Sequence, residues 1–127
     1  MREKQLFEYA VIRVVPRVER EEFLNVVIIL YCAGSKFLRT LFTLDERRIR
    51  CFAPQLNIEE LEEYLHNFER ISLGLPESGP IGKLDMPSRF RWLTATRSTV
   101  VQTSPVHPGL CSDPGKMLKR LYEQLVL

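Results

Sequence analysis

The chain has 127 residues, 45% of them hydrophobic, enough for one domain with one core and no disulfide or metal staples. Eighteen basic and 16 acidic side chains leave a formal charge of +2, far from the basic excess of a dedicated nucleic-acid binder. The longest apolar run, Val26 to Ala33, is too short to cross a bilayer and no apolar signal core follows Met1, so no membrane contact and a cytoplasmic location are expected.

Glu8 to Val15 is β-branched and aromatic and stops at Pro16, which cannot donate to a ladder, so it reads as a strand. After a charged turn from Pro16 to Glu22, Phe23 to Ala33 is apolar on both alternating faces apart from Asn25. That pattern suits a central strand covered on both sides. Gly34 and Ser35 supply a reversal, and Phe37 to Leu44 returns as a third strand, completing an antiparallel meander.

Asp45 caps a short helix running to about Phe52 and stopped by Pro54. Asn57 and Glu60 form a capping box for a longer helix over 57–73, with Leu61, Tyr64, Leu65, Phe68 and Ile71 as its apolar stripe. Residues 74–87 carry Gly and Pro turn signals and read as a flexible loop. Ser88 opens a short turn over Arg89 to Ala95, and Ser98 to Thr103 alternates as a fourth strand ended by Pro105. Asp113 and Pro114 start a last helix over 114–126 with Met117, Leu118, Leu121, Tyr122 and Leu125 inward. The fold class is therefore α+β: one domain with an antiparallel sheet of about four strands packed with two main helices.

Arg89 to Gly109 is the segment that propensity explains least, because it crowds Arg89, Trp92, Arg97, Ser98, Gln102 and His107 into a stretch with little helical periodicity. A guanidinium fork is the preferred reader of carboxylate or phosphate, so Arg89, Arg97 and the Ser98 hydroxyl could hold an anion. Equally, these groups could tie down an irregular loop by bonding its carbonyls. Trp92 could anchor a partner or fill a satellite of the core. His107, between two prolines, could serve as acid or base, or as a structural donor.

At the other end of the chain, Arg13 is a charge inside an apolar strand. Any pairing that opposes odd-numbered residues of the first two strands puts it on one sheet face with Asn25, with Glu22 a candidate acceptor; the alternative is an edge Arg reaching water. Cys32 reads as core and Cys111, near His107, as the exposed thiol. No closely spaced Cys/His set, nucleotide loop or nucleophile elbow is present, so neither a metal nor a cofactor is expected.

Residues 9–16 (Tyr-Ala-Val-Ile-Arg-Val-Val-Pro), Glu22 to Val26, the capped helix, and Arg89 to Leu93 through Arg97, Ser98, Gln102, Ser104 and His107-Pro108-Gly109 resemble the bacterial family catalogued as domain of unknown function 3037. The resemblance spans nearly the whole chain and names no reaction. It implies an accessory role beside a HipA-like kinase, with Arg13, Glu22, Phe23, Asn25, Arg89, Trp92, Arg97, Ser98, Gln102, Ser104 and His107 as the matching positions.

The expectation is a non-enzymatic binding or regulatory module in which a polar groove of Arg13, Glu22, Asn25, Arg89, Trp92, Arg97, Ser98, Gln102 and His107 receives a protein partner or an anionic ligand. The alternative is a small phosphoester hydrolase or nuclease-like enzyme using His107 with Arg89 and Arg97. Direct nucleic-acid binding is a third reading that the balanced charge disfavours. An unpaired first or third strand could also pair across a two-fold axis to make a homodimer.

Overall fold

The computed structural model describes residues 3–15, 23–54, 56–95 and 101–127; Glu22, Arg97 and Ser98 fall outside them. Strands β1 (Gln5–Val14), β2 (Leu24–Cys32) and β3 (Phe37–Phe42) form the expected antiparallel meander. Lys36 closes the reversal between β2 and β3 with φ 52°. Helix α1 (Glu46–Phe52) starts where the Asp45 carboxylate accepts from Arg48 N, and α2 (Ile58–Leu73) where Asn57 Oδ1 accepts from Glu60 N. Gly74 ends α2 in the left-handed conformation, with φ 67°.

The segment read as a loop holds a 3-10 turn (Pro76–Ser78) and the short helix α3 (Gly79–Gly82). A longer helix, α4 (Met86–Leu93), follows and begins earlier than the expected turn. Its cap is Asp85, whose side chain accepts from Ser88 N, and Pro87 occupies its first turn. Strand β4 (Val101–Thr103) covers the described part of the fourth predicted strand. Helix α5 (Pro114–Leu125) opens on the Asp113 cap as expected.

Between them lies β5 (His107–Cys111), a strand that Pro108 and Gly109 conceal from any propensity reading. The sheet runs β3-β2-β1-β4, with β5 also on β1, so β4 and β5 share one edge of β1 end to end. Their junction is held at Ser104, whose Oγ accepts from Val11 N at 2.9 Å while its N–H donates to Val11 O at 2.8 Å.

The sheet separates two apolar layers. On one face Ala10, Ile12, Val14, Val26, Val27 and Ile29 pack with Ile49 of α1, Leu61, Leu65, Phe68 and Ile71 of α2, and Phe90 and Leu93 of α4. On the other, Phe7, Val11, Ile28, Leu30 and Cys32 meet Leu118 and Leu121 of α5. Each fully buried Leu or Ile contributes about 1.5–3 kcal/mol by leaving water, so these two layers carry the fold.

Candidate functional site

The pairing of β1 and β2 changes register between Ile12 and Arg13: Ile12 faces Val27, but Arg13 faces Asn25, leaving Val26 as the extra residue of a bulge. On the other side of β1, Arg13 faces Gln102 of β4. Three polar residues from distant parts of the chain thus form one row across the sheet, on the face that α5 covers. All three residues are only partly buried.

Within the row, the Arg13 guanidinium lies over the Phe23 ring, 4.1 Å from its centroid, an arrangement that stabilises by about 0.5–2 kcal/mol depending on exposure. Asn25 Nδ2 donates to Leu125 O at 3.0 Å, tying down one of the open carbonyls at the end of α5. That bond fixes the amide orientation and points Oδ1 the other way. Arg13 Nε and Asn25 Oδ1 are buried without a hydrogen-bond partner among the described residues. Thr40 Oγ1 and Arg89 Nε share that condition singly, whereas the row sets an unmatched donor and an unmatched acceptor on facing residues.

The other candidates are placed elsewhere. His107 is exposed at the start of β5, its ring 5.3 Å from that of its cross-strand neighbour Tyr9, on the α5 side and four residues earlier in β1 than the row. Arg89 and Trp92 belong to α4 and the opposite face. Arg89 Nη1 donates to Leu84 O at 2.7 Å, and its guanidinium lies close over Gly74, where an added Cβ would sit 3.1 Å from Cζ. It therefore links the end of α2 to the segment before α4. Trp92, 36% exposed, lines a cleft of about 20 Å³ with Tyr64, Asn67, Phe68 and Ile71 of α2. Among the described residues, Arg13, Asn25 and Gln102 come together; Arg89 and Trp92 are separated from them by the sheet, and no single groove contains all the candidates.

The thiol assignment needs correction. Cys111 is buried at 4% exposure, and Cys51 on α1 is the exposed cysteine. Position 111 ends an edge strand whose inward side chains point under α5, so burial pushes the Cys111 thiol up, and the neighbouring Cys32 pushes it further. An activated nucleophile needs the opposite shift.

Phe23 was not among the candidates for the site, although it stands two residues before Asn25 and alternation alone puts both on Arg13's face. Among the described residues no cluster of three or more His, Cys, Asp or Glu side chains could hold a metal ion, and no helix is long and apolar enough to cross a membrane.

Sheet, bulge and row define a small α+β module that presents polar groups at the edge of a central strand rather than in a deep cleft. The chain belongs to the family described as protein of unknown function (DUF3037), whose model matches residues 9–126, nearly its whole length. No curated protein and no solved structure matches it.

Proposed function

We infer that the protein is a non-enzymatic binding and regulatory accessory module of the cytoplasm, engaging a protein partner through the Arg13–Asn25–Gln102 row with Phe23 at its rim. The observation that carries this reading is the facing pair of unmatched groups, Arg13 Nε and Asn25 Oδ1. Each buried polar group left without a partner costs about 1–3 kcal/mol. A peptide unit supplies a carbonyl for the first and an N–H for the second. A simple anion would serve Arg13 alone and would bring negative charge against the Asn25 oxygen, so a polypeptide suits the pair better than phosphate does.

The kinase-like protein implied by the resemblance is the partner to test. Co-expressed and purified, it should form a complex that Arg13→Ala and Arg13→Lys each weaken by about tenfold or more while the variants stay folded. The lysine variant keeps the charge and loses the Nε–H donor. Trp92→Ala, on the far face, should leave affinity unchanged. Equal affinity in folded Arg13 variants overturns the row as the contact, and no association at micromolar concentration overturns the partner.

A further inference from the structure

A second feature lies at the other end of α5 and does not depend on the row. Lys4, just before β1, and Lys116 and Arg120, one turn apart on α5, line a groove of about 330 Å³ together with Met117 and, at its rim, Leu110. Leu110 is 60% exposed and faces the equally exposed Leu6, at 61%, across the strand pair. Among the described lining residues the one carboxylate, Asp113, is already accepting from Lys116 N as the helix cap. No ion pair joins Lys4, Lys116 or Arg120 to an acidic side chain among the described residues.

Folding gives no reason for this arrangement. Like charges four residues apart destabilise a helix by about 0.2–0.5 kcal/mol, and a cation in the first turn opposes the helix dipole. A bound anion reverses both costs. The helix end itself is occupied by Asp113, so the anion would be held by the three side chains and not by free helix N–H groups. Among the described lining residues, three cations and one carboxylate sum to +2, the complement of a phosphate monoester, which carries about −1.5 to −2 at neutral pH. The Arg120 fork can take two phosphate oxygens while the lysines act as point charges. Met117 adds a surface for an apolar group, and the volume falls at the lower end of the range for small-ligand sites. We propose that this groove binds a phosphate monoester joined to an apolar body.

The phosphate could be carried by a small molecule or by a phosphorylated side chain of a polypeptide. Phenyl phosphate and a phosphotyrosine peptide serve as the two probes, titrated at low salt against the isotope-labelled full chain. Saturable binding is expected, with amide shifts centred on Leu110 and Met117; the tighter probe identifies the source. Lys116→Gln with Arg120→Gln should weaken it by roughly tenfold or more at unchanged melting temperature. Arg13→Ala should leave it intact, which separates this site from the partner-binding row. Non-saturable titrations, shifts located elsewhere, inorganic phosphate binding as well as phenyl phosphate, or equal affinity in the folded double variant would each overturn the proposal.

Discussion

Ser104 offers the sharpest test of how the sheet edge is built. Its Oγ accepts from Val11 N at 2.9 Å and lies 2.9 Å from Pro105 O, to which it donates; Ser104 is 4% exposed and Val11 6%. Ser104→Ala removes that acceptor and leaves the Val11 amide buried without it, while the backbone bond from Ser104 N to Val11 O at 2.8 Å survives. A buried donor so orphaned costs about 1–3 kcal/mol, against less than about 0.5 kcal/mol for an ordinary surface substitution. In a domain of this size that loss lowers Tm by roughly 3–12 °C. Urea denaturation followed through the single tryptophan should show a lower midpoint with an unchanged slope, and amide exchange at Val11 should accelerate. Ser104→Thr, which keeps the hydroxyl, should lie closer to the parent than the alanine variant. A stability within about 0.5 kcal/mol of the parent for Ser104→Ala would show that the hydroxyl is not what holds β4 and β5 to β1.

Two further outcomes follow from the opposite end of that edge. A Cβ at Gly109 would come 2.5 Å from Phe7 Cζ, so Gly109→Ala should cost about 1–3 kcal/mol by overpacking, and Phe7→Leu in the same chain should recover part of it. Thermal denaturation of the single and double variants measures both; a neutral Gly109→Ala contradicts the ring packing. The Cys111 thiol is raised by burial, so its contribution to stability is complete below the ordinary cysteine value of 9.0 and is lost as pH climbs through the higher folded value. Melting temperature should therefore fall above pH 9, less steeply in Cys111→Ala, with a residual fall beyond 10.0 because burial also raises Tyr122. An identical alkaline profile in the variant would refute that assignment.

Much of the framework was legible in the sequence because caps and periodicity agreed with tertiary packing. Asp45, Asn57 and Asp113 each cap the helix expected of them, and the meander follows from its apolar runs. Strand β5 was not legible, since Pro108 and Gly109 argue against a strand everywhere except at an edge. There the proline's missing N–H is tolerated, and a glycine is compensated by a cross-strand aromatic, here Phe7. The start of α4 was misplaced although its signal was present: Asp85 with Pro87 is a better cap and first turn than Ser88. The groove at α5 had no local signal, because Lys4 and Lys116 are neighbours only through the pairing of Gln5 with Cys111.

The candidate row depends on one irregularity that alternation could not supply. Residues 25–28 read Asn-Val-Val-Ile, so the apolar pattern fits a strand in either register, and the sequence leaves the choice to packing. Continuing the pairing of Ile12 with Val27 without a break would set Arg13 against Val26 and turn Asn25 toward the α2 layer, burying an amide among Ile49, Leu61 and Leu65. The bulge avoids this. It sends Val26 and Val27 to the same apolar layer and returns Asn25 to the α5 side, where Leu125 O takes its N–H and Arg13 faces it. Core packing and the polar row are thus satisfied by the same extra residue, and the juxtaposition of Arg13 with Asn25 is a consequence of where two valines must go.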